Sequence, residues 1–288
     1  MADSQKETFI LLMSCPDQKG LVARVARFLY EAGANILHAD HHVDPEANIF
    51  FMRIEWEAEG FQLSRDDLKS TFGQLVAPLG MEWSFHYSSQ VQRLAIFVSR
   101  QDHCLMDLLW RYRAREIQCE IPLLISNHME YGPVAREYGM DFRYIPITQK
   151  TKQSQESLEI NLLHEYRIDL VVLARYMQIL SPAFIQVFPR RIINIHHSFL
   201  PAFIGGNPYR KAYERGVKLV GATSHYVTED LDQGPIIEQD VVRVSHRDTL
   251  EDLIRKGRDL EKQVLARAVR AHLLHNVLSY ANKTVVFG

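Results

Sequence analysis

The chain has 288 residues, 47% apolar and 24% charged, with 33 Lys and Arg against 35 Asp and Glu and a net charge of −2. That length suits two domains, and the charge balance lacks the basic excess of a nucleic-acid partner. No apolar run is long enough to span a bilayer, the N-terminus MADSQKETF has no basic-then-apolar leader pattern, and three cysteines at unrelated spacings (Cys15, Cys104, Cys119) argue against a disulfide framework. A cytoplasmic protein is expected.

Residues 8–14, TFILLMS, read as a strand. Pro16 and Asp17 mark a turn, Gly20 falls at a helix start, and Leu21, Val22, Val25, Phe28 and Leu29 recur on one helical face until Gly33 stops it. Strands over 35–43 and 48–56 follow, separated by DPEAN, then a helical face of Leu68, Phe72, Leu75 and Val76, then the alternating strand MEWSFHY. The order strand, helix, strand, strand, helix, strand is the ferredoxin-like split motif. The stretch CPDQKGLVARVARFLYEAGANILHADHHVD, with its D-x-x-G-L-V-A-x-V-x-x-F-L pattern, resembles the ACT domain, a small sensor module. The resemblance implies a regulatory domain over 1–88, an amino-acid effector near Asp17 to Gly20, and pairing between ACT domains in a homo-oligomer. Its sheet is expected to have one face covered by two helices and the other open.

The polar stretch SSQVQ, 88–92, reads as a linker, after which strands and helices alternate. Strands fall at 94–98, 121–125, 170–174 and in RIINIHH; helices fall at 105–112, near 133–138 and from SLEINLL. This alternation implies an α/β domain over 89–288 with a mostly parallel, Rossmann-like sheet. A long amphipathic helix carries Leu250, Leu253, Ile254, Leu260, Val264, Leu265, Val269 and Leu273, with Asp248 as its expected cap.

The strand RII ends in NIHHSFLPAF, Asn194 to Phe203. Polar side chains at the carboxyl end of a parallel strand face the crevice where open α/β sheets bind ligands. Alternation points Asn194 and His196 one way and His197 the other. Downstream, GATSHYVTEDLDQGPI gives a second polar strand end, Thr223 and His225, and a turn-rich loop carrying Asp232 seven residues beyond His225. An amide, an imidazole and a carboxylate suit attack on an acyl carbon: the amide for the oxyanion, the imidazole for the proton, the carboxylate to orient them. For a lone histidine a structural role would be the better reading; the convergence of the three residue types shifts it.

NIHHSFLPAFIGGNPY together with GATSHYVTEDLDQGPIIEQ resembles the folate-dependent formyltransferase fold over 93–288, whose hallmark is N-I-H-x-S-x-L-P, then a His, then L-D-x-G-P. The resemblance implies Asn194, His196 and Asp232 as catalytic residues and His225 as their neighbour. Through RYMQILSP it also implies Met177, Gln178, Ile179, Leu180 and Val227 in the folate site. Members that formylate a phosphorylated amine carry a glycine-rich loop after the first strand; here that loop is VSRQDHCLMD, without glycine. The extra C-terminal β domain expected of initiator-tRNA formyltransferases finds no counterpart either. An ACT domain ahead of this catalytic domain resembles the formyltetrahydrofolate deformylases of one-carbon metabolism. That resemblance implies 10-formyltetrahydrofolate as substrate, water as acceptor, and neither cofactor nor metal. The alternative is a formyltransferase to an unphosphorylated amine.

Other polar groups read more simply. HADHH (His38, His41, His42) reads as a solvated or interface strand, lacking further ligands at metal spacing. His196, His225 and Asp232 as a zinc site is the weaker alternative to acyl chemistry. Cys104 and Cys119 read as buried fillers, and Arg190, Arg191, Arg210 and Lys211 as a solvated rim.

Overall fold

The computed structural model describes residues 6–202 and 208–288. The chain packs as two compact units, one of residues up to Val91 with His275–Leu278 and Val285–Gly288, the other of Gln92–Leu274 and Ser279–Thr284. No periodicity in the sequence signals that return of the C-terminal residues to the first unit.

The first unit runs β1 (Thr8–Pro16), α1 (Leu21–Glu31), β2 (Ile36–Asp44), β3 (Ile49–Glu57), α2 (Arg65–Val76) and β4 (Glu82–Tyr87). The sheet order is β2-β3-β1-β4, all antiparallel. Gly20, at φ 87°, opens α1, and Gly33, at φ 78°, ends it. A side chain at Gly33 would also meet the Gly60 carbonyl oxygen at 2.9 Å, so both space and backbone call for glycine there. Ser64 caps α2 by accepting from the Asp67 N–H. Leu21, Val25 and Leu29 of α1 and Leu68, Phe72 and Val76 of α2 are buried with Phe9, Leu11, Met13, Phe50, Met52, Ile54 and Trp56 of the sheet. Val22, counted in the apolar stripe from sequence, is exposed.

The second face of this sheet is not open as expected. Ile10, Leu12 and Phe51, which point that way, are 6%, 5% and 1% exposed. His275 lies on that face: its ring stacks on His86 at 3.7 Å and its carbonyl accepts from Arg53 Nε at 3.1 Å. Burial, helped by the Arg53 charge, holds His86 down at about 4. The HADHH residues of β2 are exposed in the single chain, which fits either a solvated or an interface strand.

The second unit contains β5 (Arg93–Val98), α3 (His103–Arg113), β6 (Glu120–Ser126), α4 (Gly132–Glu137), β7 (Asp141–Tyr144), α5 (Lys152–Glu165), β8 (Leu170–Ala174), α6 (Pro182–Val187), β9 (Ile192–His196), α7 (Pro208–Arg215), β10 (Leu219–Tyr226), β11 (Ile236–Arg243) and α8 (Leu250–Leu273). The sheet order is β11-β10-β9-β8-β5-β6-β7. Strands β5 to β9 are parallel, and β10 and β11 extend the sheet antiparallel. The chain departs from β5 first toward β6 and later returns to β8 on its other side, so the carboxyl ends of β5 and β8 form a topological switch point. Short elements with little periodicity, β7, α6, α7 and the terminal hairpin β12 (Val277–Tyr280) and β13 (Lys283–Val286), escape sequence reading.

Helix α8 buries Leu253, Leu260, Val264, Leu265 and Val269. Its cap is Thr249 rather than the expected Asp248: Thr249 and Asp252 form a reciprocal capping box. Asp248 instead pairs with Lys256 at 2.8 Å and accepts from the Ser245 N–H. Thr249→Ala should therefore lower the unfolding free energy by about 1 kcal/mol, read as a reduced midpoint in urea denaturation.

Candidate active site

Strand β9 delivers the first two polar groups. Its register against β10 sets His225 opposite Asn194 and Thr223 opposite His196. Thr223, fully buried, fastens the turn that follows: its hydroxyl donates to Ser198 O at 2.8 Å and accepts from the Leu200 N–H at 3.1 Å and Gln239 Nε2 at 2.9 Å. Within this motif Phe203, Gly206 and Asn207 lie outside the described residues.

The third group arrives on the loop between β10 and β11. Asp232 sits at φ 57°, a left-handed conformation that Asp and Asn tolerate best among residues with a side chain. Two residues on, a Cβ at Gly234 would stand 1.7 Å from the Tyr226 carbonyl oxygen. The loop crosses the end of β10 so closely that only glycine fits, and the Tyr226 N–H donates to Pro235 O at 2.9 Å beside the crossing. That is the physical content of the L-D-x-G-P pattern.

Proton positions follow from the partners. His225 Nδ1 lies 2.9 Å from the Tyr226 carbonyl oxygen, which can only accept, so Nδ1 carries a hydrogen. Burial, only partly offset by that carbonyl and by Asp232, pushes His225 below its ordinary value and keeps it neutral. Its Nε2 is then a bare acceptor, 3.3 Å from Asn194 Nδ2. One N–H of the Asn194 amide is thereby used, and the second is left to donate elsewhere. His196 carries its hydrogen on the same ring nitrogen. Its Nδ1 faces Asp232 Oδ2 at 3.2 Å, a carboxylate that accepts, while its buried Nε2 has no hydrogen-bond partner. Burial would raise Asp232, but the hydrogen bond and charge of His196, with His225 and His197 adding, hold it below the ordinary carboxylate range. The group thus presents a spare amide N–H and an imidazole nitrogen backed by an anion.

His197 points to the other side of β9, as alternation requires. There a second polar network surrounds Glu261 of α8, which is fully buried. Glu261 accepts from Tyr209 at 2.5 Å and from His103 at 2.8 Å, and Arg175 Nε lies 3.4 Å away. Arg175 in turn donates to Gln101 at 2.8 and 3.1 Å. Tyr209 reaches the carboxylate because α8 has Gly257 below it: a Cβ there would lie 2.1 Å from the phenol oxygen. The glycine-free loop after β5 therefore feeds Gln101 and His103 into an ionic lock. Sequence reading missed Glu261, Arg175 and Tyr209; a charged residue on the apolar face of α8 was the available signal.

His103, Cys104 and Glu261 are the one grouping of metal-ligating atoms among the described residues, all within 4.8 Å. The donor set fits a cation poorly. Both Glu261 oxygens are engaged, the Arg175 guanidinium stands beside them, and burial pushes the Cys104 thiol well above its ordinary value. Cys104 and Cys119 are buried fillers as expected.

The folate-site candidates are divided. Met177 and Ile179 are 61% and 60% exposed, while Leu180 is buried in the core beneath the sheet. Val227 is half-buried against the same core, its N–H donating to Ile192 O. Asp17 and Gly20 are exposed in the turn before α1. Of the rim arginines, Arg190 donates to Ser279 O and Arg191 to Val187 O.

Residues 92–269 match the formyl transferase family and residues 9–73 the ACT domain. The chain belongs to the formyltetrahydrofolate deformylase family. It is 58% identical over 283 residues to the formyltetrahydrofolate deformylase of Synechocystis, covering 98% of this chain and 99% of that one, and 48% identical over 286 residues to that of Bacillus subtilis, covering 99% and 95%. The crystal structure of a formyltetrahydrofolate deformylase from Pseudomonas syringae superposes with a TM-score of 0.97 at 45% identity, covering 100% of this chain and 96% of that one. The glycinamide ribonucleotide transformylase 1 of Symbiobacterium toebii covers 70% of this chain, with a TM-score of 0.65 and 31% identity; 97% of that chain is covered.

Two expected outcomes test this geometry. Gly234→Ala should displace the loop and cut activity by about 10²-fold or more, the scale expected when a catalytic group is misplaced by about 1 Å, with a lowered melting temperature. His225 titrates below 6.5 in the folded protein, so the unfolded chain takes up that proton first; stability is full above pH 6.5 and declines as pH falls below it. Melting temperature should drop from pH 7 to pH 5, and the drop should shrink in His225→Gln.

Proposed function

We propose that this protein hydrolyses 10-formyltetrahydrofolate to formate and tetrahydrofolate, with water as formyl acceptor. The observation that carries the reading is the paired orientation of Asn194 and His196, one offering a spare N–H and the other an unpartnered Nε2 with Asp232 behind it. Water held at His196 Nε2 attacks the formyl carbon. Its proton passes to Nε2, and the imidazolium is stabilised by the Asp232 anion. The growing oxyanion takes the free N–H of Asn194. When the tetrahedral intermediate collapses, the carbon–nitrogen bond breaks, His196 returns its proton to the leaving nitrogen, and the formic acid so formed gives its remaining hydroxyl proton to solvent and departs as formate. His225 acts through Asn194, fixing the amide so that its second hydrogen points at the oxyanion.

The segment Met177–Leu180, with Val227, binds the folate in this reading. Met177 and Ile179 offer apolar side chains to a flat ring, while Leu180 anchors the segment in the core. Protein groups account for every step without metal or cofactor, and the His103–Cys104–Glu261 grouping is a poor cation site for the reasons above. The ACT domain is regulatory, with an amino-acid effector at the Asp17–Gly20 turn, and joins copies of the chain into a homo-oligomer. The long edge strand β2, with Ile36 and Leu37 exposed, supports such pairing. Three buried free cysteines fit a reducing cytoplasm, and no helix among the described residues is long and apolar enough to cross a membrane.

Formate should be released from 10-formyltetrahydrofolate with no amine present, and chelator should leave the rate unchanged; turnover only with an amine would replace hydrolysis by transfer. Asn194→Ala should lower kcat by about 10²–10³ with KM largely kept. His196→Ala and Asp232→Asn should lower kcat more than they change KM. The asparagine keeps the shape and the left-handed backbone, so its melting temperature should stay near wild type. A folded variant turning over at the wild-type rate refutes the role given to that residue.

A further inference from the structure

The segment between β8 and α6, residues 175–181, is fastened from below at both ends. At its start, Tyr176 is buried, packs edge-on to Phe97 at 5.3 Å, and donates its hydroxyl to Glu159 Oε1 at 3.0 Å. The next N–H, of Met177, donates to Ser99 Oγ at 3.0 Å. At its end, the Ser181 N–H donates to Glu156 Oε1 at 3.0 Å while the Ser181 hydroxyl caps α6. Glu156 and Glu159 lie three residues apart on α5 and so share a face. They are 5% and 0% exposed. Between the pinned ends, the side chains of Met177 and Ile179 stand out into solvent.

Two buried carboxyl groups side by side are costly unless one is neutral. Glu159 carries the mark of the neutral form: its Oε2 is buried and has no hydrogen-bond partner. An ionised carboxylate with an unpaired buried oxygen would be far less tolerable than a protonated one. The groups acting on it are Tyr176, from the segment itself, and Glu156, from its own helix, with Lys152 3.9 Å from Glu156.

We infer that Glu156 and Glu159 are positioning residues that pin the two ends of the 176–181 segment, so that the neutral Glu159 holds the segment in its folate-binding shape and the ionised one releases it. Burial, reinforced by the Glu156 charge and opposed by the Tyr176 hydrogen bond, pushes Glu159 up to about 7. Below that pH the carboxyl is neutral and the pin is set. As pH rises through it, a second buried negative charge appears beside Glu156, and the repulsion between the two outweighs the strengthened Tyr176 bond and loosens the segment. The effect falls on substrate binding and leaves Asn194, His196 and Asp232 alone. The inference rests on the assignment of this segment to the folate pocket.

The test is KM for 10-formyltetrahydrofolate between pH 6 and pH 9 in wild type and Glu159→Gln, which keeps the shape and the neutral state. Wild-type KM should rise by about tenfold across that range, the scale of a one-unit pKa effect between like charges. The variant should stay within about twofold of the wild-type value at pH 6, with kcat unchanged. A residue that only filled space would give the two proteins the same profile, and superimposable profiles overturn the inference. Ile179→Asp, which charges the exposed part of the segment, should raise KM by about tenfold at pH 6. If it does so while the two pH profiles coincide, the pinning is wrong and the folate assignment stands. If Ile179→Asp leaves KM unchanged, the segment lies outside the folate pocket and the inference falls with that assignment.

Discussion

The candidate active site depends on one close backbone crossing. The loop after β10 passes over Tyr226 at Gly234, with no room for a side chain, and this passage sets Asp232 in a left-handed turn facing His196. Without the crossing, an acidic residue on a surface turn would be solvated and far from the imidazole. With it, the carboxylate is drawn to 10% side-chain exposure and its charge acts in a medium of low dielectric. Residues held in such sparsely populated conformations persist only where their surroundings over-determine them. Here the strand pairing of β9 with β10, the Thr223 network and the Pro235 hydrogen bond do so.

Hydrogen-bond accounting separates structural from functional polar groups. Among the described residues of the second unit, two buried side-chain atoms have no partner: His196 Nε2 and Glu159 Oε2. The rest of a dense polar interior is paired, including the Glu261 lock that joins α3, α7 and α8 to the end of β8. Unpaired buried atoms are rare enough to need an explanation. The first is the nitrogen proposed to take a proton from water. The second belongs to a buried carboxyl group that accepts from Tyr176 at the start of the segment proposed to bind folate. In the proposed mechanism the imidazole serves the chemistry, and the carboxyl group the shape of the pocket beside it.

The two sides of β9 carry different tasks because a strand alternates. Asn194 and His196 face the candidate active site, while His197 faces the Glu261 lock and is held at about 3 by burial and by Arg175. A neutral His197 keeps a second positive charge away from the Arg175 guanidinium. The loop after β5, free of glycine, contributes Gln101 and His103 to the same lock, which is a different use of the switch point from cradling an anion with backbone N–H groups.

By itself the sequence determined the two domain types, the strand carrying Asn194 and His196, their shared face, and the loop carrying Asp232. Local rules govern all of these: period-2 and helical patterning, turn residues, and short motifs whose spacing is fixed by one strand or one turn. The ferredoxin-like order and the parallel sheet were legible for the same reason. What only the tertiary structure decided depends on residues far apart in the chain. The β9–β10 register fixes which way the Asn194 amide donates. The crossing at Gly234 gives the L-D-x-G-P glycine its reason. The Glu261 lock gathers side chains from residue 101 to residue 261, and the C-terminal return puts His275 on the first sheet. Glu156 and Glu159 belong to no motif in the sequence; burial against a segment 17 to 25 residues away gives them their partners. Long-range packing sets the local dielectric and the partner of each polar atom, and one-dimensional spacing carries neither.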